Sequence, residues 1–408
     1  MNLPQGEIFV AAALVLGIAT TCQVVAPKLR VPALVLLLPA GFLLGFLAPQ
    51  FRWDVILGPV FPVAVDLVVA LILFQGGMSL GAIKLERSDR SVVRRLIWAG
   101  GSISCLVATL GAHFFLGLAW PLAFLLGAIL IVSGPTVVTP ILDFAKPESR
   151  SRGILLWEGT LLDPIGAIFA VTVFQVVRAS TASTPVEAIW AFLWSFVVAI
   201  LFACIGVLLA VLGVKLVRGN AKLGTQVLIG SVISAVALAN ACASESGLMT
   251  ALLMGAATYP LAKRLNTTLD QTTPFFDVIA SIGVGVLFVC IAALVPSPDL
   301  AAVVLPAIAI AATLILIARP FIAWLCTRGA GLSTSQRTFI GWMDPRGIVA
   351  AATASSVSAA LVSAKVPGAQ ELLPAAFVII AVTVFVYGLT AVPVVRVLKL
   401  TQQKGGGT

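Results

Sequence analysis

The stretch LLWEGTLLDPIGAIFAVTVF, residues 155–174, is apolar enough to cross a bilayer, yet it holds Glu158 and Asp163 and sets Pro164 directly after the second acid. A charge at mid-membrane costs roughly 3 kcal/mol or more, so such a residue marks function or a buried partner. Five residues along a helix turn the second carboxylate roughly 140° from the first. The two acids therefore do not share a face. The spacing points to two jobs: Glu158 paired and structural, Asp163 free and available. Five more ionisable residues lie inside or at the end of apolar stretches: Asp66, Asp277, Arg319, Asp344 and Arg346. Two stretches also break their own helix. Ser133-Gly134-Pro135-Thr136 interrupts one, with Thr139-Pro140 soon after, and Asp344-Pro345-Arg346-Gly347 interrupts another. Glycine and proline inside a span free backbone groups that neighbouring groups must satisfy.

These residues need elements that hold them at membrane depth. The chain has 408 residues, 60% hydrophobic and 10% charged, with mean hydropathy +1.12. Soluble domains carry about 25% charged residues, so this is an all-α polytopic membrane protein. A span takes about 20 apolar residues, and thirteen are expected: 8–26, 31–49, 60–82, 92–118, 121–143, 152–177, 186–214, 222–242, 246–262, 273–295, 299–327, 337–363 and 372–398. The first run is long enough to span and stays in the protein rather than serving as a cleaved leader. Of the 25 lysines and arginines, one set of alternate loops holds all but Arg52, Arg178 and Lys365 on the other side and Arg319 and Arg346 within spans. By the positive-inside rule the N-terminus is outside and the C-terminus cytoplasmic, in a cell (inner or plasma) membrane. The same rule explains the net charge of +9 without nucleic acid. The six cysteines all lie in apolar stretches with no CxxC pair, as packing residues do.

Depth follows from a rise of 1.5 Å per residue. Entering from the cytoplasm, Glu158 lies about 9 Å deep and Asp163 about 16 Å deep; Arg319 lies about 12 Å from the same surface. Glu158 and Arg319 are thus the natural buried ion pair. Ser133 and Gly134 fall level with Asp163, and so do Asp344 to Gly347. The two interrupted spans, five and twelve, run in opposite directions. Broken helices in opposite orientation are the mark of inverted-repeat secondary transporters, whose unwound centres meet at the binding site. Pro320 after Arg319 adds an expected kink.

The chain resembles the monovalent cation:proton antiporter superfamily, in its NhaP-like sodium/proton branch, across essentially all spans. SGPTVVTP resembles the interrupted-helix motif Thr-Asp-Pro, with Ser133 and Pro135 at its first and last positions. EGTLLDP resembles Glu-x-x-x-Asn-Asp, with Glu158 and Asp163 as its acids. ARPFIAWL resembles the stretch that carries the buried basic partner, here Arg319. GWMDPRGIVAA resembles the second broken helix, with Arg346 as its arginine, and FQGGMSL resembles Phe-Glu-Gly-Gly, with Gln75 in place of the acid. Two positions depart: Leu162 stands for the asparagine and Gly134 for the aspartate of Thr-Asp-Pro. Both losses bear on ion selectivity more than on reaction class. The resemblance implies an NhaA-like fold with two crossing interrupted helices. It also implies a single transmembrane antiporter domain over 1–408, with a transport part around 92–177 and 299–398 and a dimerisation part from the remaining spans, and a homodimer.

The expected function is secondary active exchange of a monovalent cation, sodium first, for a proton by alternating access. The alternative is a potassium/proton antiporter or potassium efflux transporter of the same fold. Asp163 holds a proton or a cation in turn, with Ser133, Thr136, carbonyls of the broken span and water as further oxygen ligands. Glu158 and Arg319 form a structural pair, and Gly134, Pro135, Asp344 and Arg346 support the broken helices. A guanidinium does not deprotonate, so Arg319 carries no second proton and exchange should be electroneutral, one for one. Asp66 either bonds a neighbouring helix or lines a funnel. Asp277 reads as a solvated helix start and Gln75 as a hydrogen-bonding or packing residue. His113, the only histidine, is structural or a pH sensor. No nucleotide or cofactor motif occurs, no enzymatic site is expected, and the tail TQQKGGGT is too short for a soluble regulatory domain.

Overall fold

The computed structural model describes residues 5–49, 56, 58, 60–82, 86–178, 185–217, 220–244, 246–264, 273–295 and 300–401. Arg52 and the last seven residues lie outside them. The described chain is helical. The helices are α1 (Gln5–Leu29), α2 (Leu34–Leu47), α3 (Val60–Ala82), α4 (Arg87–Leu116), α5 (Trp120–Ile129), α6 (Pro135–Ala145), α7 (Ser149–Arg178), α8 (Pro185–Leu216), α9 (Ala221–Cys242), α10 (Ser246–Arg264), α11 (Thr273–Ala292), α12 (Leu300–Cys326), α13 (Thr334–Ile340), α14 (Ile348–Ser363) and α15 (Leu372–Val397). Nine of these are long and apolar enough to cross a membrane alone. With α10, the shorter α2 and the two broken pairs α5/α6 and α13/α14, all thirteen expected spans are present among the described residues. The arginine-rich residues 87–95 start α4 earlier than apolarity alone suggests, because an amphipathic turn continues the helix beyond the apolar segment.

Both interruptions fall where glycine and proline put them. Residues 130–134 leave the helix after α5, and α6 restarts with Pro135 at its first position, where a missing N–H costs nothing. Gly134, the N-cap of α6, is extended, and so is Gly347, the N-cap of α14. The two glycines meet: a Cβ on Gly347 would lie 2.8 Å from the backbone nitrogen of Gly134. That contact is the crossing point of the broken spans.

Two wide turns were not legible in the sequence. α4 and α12 each contain one π-helical turn, Leu96–Gly100 and Leu314–Ala318, and the two helices pack together there. In α12 the turn lies just ahead of Pro320, which cannot donate to a carbonyl one turn back. The expected kink is thus absorbed as an extra residue in the preceding turn, as π-bulges do. α4 has no proline there; its turn matches its counterpart across the inverted repeat.

At the end of the bundle rich in lysine and arginine, one loop fastens several helices. The Arg150 side chain donates to both carboxylate oxygens of buried Asp89, at 2.8–3.2 Å, and to the carbonyls of Ala330 and Gly331. Glu148 accepts from Gln336 in α13 at 2.6 Å and from Ser151 at 2.9 Å, and its backbone N–H donates to the Leu400 carbonyl at 2.8 Å. The connection between α6 and α7 is therefore held to α4, to α13 and to the end of the described chain. Arg150→Ala leaves the Asp89 carboxylate buried without its partner. It should lower stability by about 2 kcal/mol, read as an earlier thermal unfolding of the detergent-purified protein.

Candidate functional site

α7 carries both acids of the opening stretch, and the structure separates them as their spacing requires. Glu158 and Arg319 are both buried and form a bidentate pair, with Nη1 and Nη2 donating at 2.6 and 2.8 Å to the two carboxylate oxygens. Two parallel charge-assisted bonds are the strong geometry for this pair. The third donor of Arg319, Nε, reaches the Ile340 carbonyl at 3.0 Å. Ile340 is the last residue of α13, so the cation also serves the orphan carbonyls and negative dipole end of that half-helix.

The other broken span is treated the same way. Arg346 pairs with Asp344 at 3.0 Å, and its Nη1 donates to the Ile131 carbonyl at 3.3 Å, just past the end of α5. Each interrupted helix thus has a buried guanidinium at the carbonyl end of its first half. Each guanidinium is neutralised by its own acid. Ser133 adds a further tie, its hydroxyl donating to the Pro345 carbonyl at 3.0 Å across the crossing. The Arg346 backbone N–H donates to Thr383 Oγ1 at 3.3 Å.

Asp163 has no such partner. It is fully buried, and neither carboxylate oxygen has a hydrogen-bond partner. The Thr136 hydroxyl, in the first turn of α6, is likewise buried and unpartnered. A Cβ on Gly134 would lie 2.7 Å from Asp163 Oδ2, and one on Gly347 would lie 3.6 Å from Oδ1. The carboxylate therefore sits at the N-termini of α6 and α14 together, facing the partial positive charge of both. An aspartate at position 134, the arrangement the resembling family uses, has no room in this geometry. Leu162 is buried and, with Gly101 and Ile131, lines an apolar cavity.

A cavity of about 880 Å³ enters from the basic end and reaches Pro135 and Thr136. Its walls include Gln75, Asp143, Arg152, Thr160 and Asp277. On the far side a smaller cavity, about 300 Å³, is lined by Asp66, Thr353 and Ser355. Gln75 and Asp277, read separately from the sequence, are joined: the amide donates to the carboxylate at 2.7 Å. Thr160, one turn before Asp163 on the cavity wall, was missed; a hydroxyl three residues before the free acid was the available signal. His113, in the last turn of α4, stacks on Trp120 with ring centroids 3.9 Å apart and bonds the Leu118 carbonyl of the following connection through Nδ1 at 2.8 Å, far from Asp163 in the chain.

A membrane bundle with two crossing broken helices around one unpartnered acid defines an ion-exchanger architecture. Residues 11–397 match the family model "Sodium/hydrogen exchanger, transmembrane", and the chain belongs to that family. It is 28% identical over 350 residues to the K(+)/H(+) antiporter NhaP of Alkalimonas amylolytica, a match covering 84% of this chain but only 58% of that protein. It is 24% identical over 403 residues to the K(+)/H(+) antiporter NhaP2 of Shewanella sp. (strain ANA-3), covering 97% of this chain and 67% of the relative. The structure of the sodium proton antiporter MjNhaP1 from Methanocaldococcus jannaschii at pH 8 superposes with a TM-score of 0.82 at 21% identity, covering 97% of this chain and all of that one. The fold is therefore the NhaA-like antiporter fold.

Two outcomes follow from this geometry. Arg319→Gln or Glu158→Gln alone orphans a buried charge and should cost about 3–5 kcal/mol, whereas the double variant should cost less than either single change; thermal melts in detergent separate the cases. Gly134→Ala drives a methyl group into the Asp163 carboxylate. It should cost about 1–3 kcal/mol of stability and slow ion exchange about tenfold or more, measured by melting and by proteoliposome flux on the same preparation.

Proposed function

We propose that this chain exchanges a monovalent cation for a proton across a cell membrane by alternating access, with Asp163 as the one group that changes partner. The observation that carries the reading is a fully buried carboxylate, without a partner, at the crossing of two broken helices and beside the inner end of a cavity. A charge in that position must be neutralised by something mobile. A proton does so by binding one oxygen. A hard alkali cation does so through oxygen ligands: the carboxylate, the Thr136 hydroxyl, the lone pairs of Ser133 left free by its donation to Pro345, and carbonyls of residues 130–134. The two ligands exclude each other because they compete for the same oxygens and the same charge.

Glu158, Arg319, Asp344 and Arg346 are fixed charges in this scheme. They balance in pairs, so one turnover moves one cation one way and one proton the other, with no net charge. The larger cavity opens at the basic end. With that end cytoplasmic, as the positive-inside rule has it, the conformation is inward-facing. The transport part comprises α4 to α7 and α12 to α15, moving against the remaining helices, which form the dimerisation part of a homodimer. Gly76 of α3 abuts Pro135 and Thr160, so this is where the two parts slide past each other.

Sodium is the first choice of cation. Potassium is the second reading, favoured by the two NhaP relatives, which are K(+)/H(+) antiporters, while the structural neighbour is a sodium proton antiporter. The test is dequenching of a pH dye in proteoliposomes, with sodium, potassium and lithium supplied in turn. The wild-type protein should exchange at least one of them at a rate independent of an imposed membrane potential. Asp163→Asn should abolish exchange of all three. Exchange surviving in Asp163→Asn would remove the basis of this reading.

A further inference from the structure

A third cavity, separate from those two, lies on the outer surface of α4. It has a volume of about 270 Å³ and an almost wholly apolar lining that includes Trp98, Ser102, Cys105, Phe124, Leu162 and Phe192. Apolar protein cavities of about 150 Å³ already take up benzene. Trp98 is 57% exposed and Phe124 43%, so the cavity is open sideways, at positions that face the hydrocarbon of a bilayer. Along α4 it extends from Trp98 to Thr109. Eleven residues of helix cover about 16 Å, about half of a hydrocarbon core some 30 Å thick. The cavity is therefore about half as long as the core is thick, and it runs from Trp98 past the level of Leu162, near mid-membrane, toward the opposite face.

The same helix face continues beyond the cavity as arginine. Arg90, Arg94, Trp98 and Ser102 recur every four residues, so they stack on one side of α4. Beside them, Arg95 donates through Nη1 to the Arg328 carbonyl at 2.8 Å, and the Arg328 guanidinium lies 3.6 Å from the ring centroid of exposed Trp324. Arg90, Arg94, Arg95 and Arg328 are all exposed, and none is in an ion pair among the described residues. Arg150 and Arg152 at the same end do have carboxylate partners. The cluster therefore presents unneutralised guanidinium groups at the basic-end mouth of an apolar slot about 16 Å long.

We infer that this slot is a binding site for an anionic phospholipid of the leaflet at the basic end, with its phosphate on the Arg94, Arg95 and Arg328 cluster and one acyl chain lying along α4 from Trp98 toward Thr109. Charge complementarity selects an acidic headgroup. The apolar lining and its depth select a chain rather than a free anion. The chain passes Leu162, the neighbour of Asp163, where the resembling family has asparagine. A polar side chain there would have to be desolvated by the lipid; leucine accepts it.

Native mass spectrometry of the detergent-purified protein tests this. Palmitoyl-oleoyl phosphatidylglycerol and the phosphatidylcholine with the same chains are added in parallel, with glycerol phosphate as competitor. The wild-type protein should retain phosphatidylglycerol about tenfold better than phosphatidylcholine. Arg94→Gln/Arg95→Gln/Arg328→Gln should remove that preference. Ser102→Trp, which fills the slot from its exposed side and leaves the arginines in place, should lower phosphatidylglycerol retention by a similar factor. Equal retention of the two lipids by the wild-type protein would overturn the site, and so would undiminished retention by Ser102→Trp. Displacement by glycerol phosphate at concentrations comparable to the lipid would show an anion site with no role for the chain, and would also overturn it. The wild-type lipid comparison decides the matter even where the triple variant does not fold.

Discussion

Every buried charge at the centre of this bundle must be neutralised, and the structure answers that constraint in two ways. Four charges answer it permanently. Glu158 holds Arg319 through two parallel bonds, and Asp344 holds Arg346. One acid, Asp163, has no such partner among the described residues, and in the proposed function ions neutralise it in turn. The rest of the site depends on that division. Had Arg319 reached Asp163, or had a lysine stood in its place, the number of titrating groups would change, and with it the charge moved per cycle.

The permanent pairs do more than cancel. Each arginine also bonds the carbonyl end of an interrupted half-helix, Ile340 for Arg319 and Ile131 for Arg346. Breaking a helix in a bilayer exposes backbone groups that water cannot satisfy, and these two side chains satisfy some of them. The opposite halves, α6 and α14, begin at Gly134 and Gly347 with free N–H groups, and these positive ends converge on Asp163. The same chain breaks thus produce two cation-served carbonyl ends and two anion-favouring N-termini. Glycine at both crossing positions lets the backbones approach, and it excludes any second acid from the centre.

Much of this was legible in the sequence. Run length gave the thirteen spans. Depth from the helical rise brought Glu158 to Arg319, and the Gly-Pro and Pro-Arg-Gly breaks located the crossing. What was not legible depends on contacts between helices. The π-turn at Leu96–Gly100 has no proline or glycine pair to announce it ahead of Gly100 itself; it follows from packing against α12. Gln75 and Asp277 are far apart in the chain, and nothing local says that the amide meets the carboxylate. The reason for Gly134 was also hidden. As a departure from a motif it reads as a lost polar tie, whereas in three dimensions it is the space that the Asp163 carboxylate occupies. The sequence points to Ser133 as an ion ligand, yet its hydrogen is already committed to the Pro345 carbonyl, which leaves only its lone pairs.

The central claim is that a single carboxylate is shared by proton and cation. The most direct measurement is the apparent cation affinity of the purified protein as pH is lowered, followed by calorimetry. Competition for one carboxylate predicts that the apparent Kd rises toward a limit of about tenfold per pH unit of acidification, with one proton displaced per cation bound. A limit of about a hundredfold per unit would mean that two protons are displaced, and an affinity indifferent to pH would mean that the cation binds elsewhere. Either result would contradict the assignment of Asp163 as the only group that cycles.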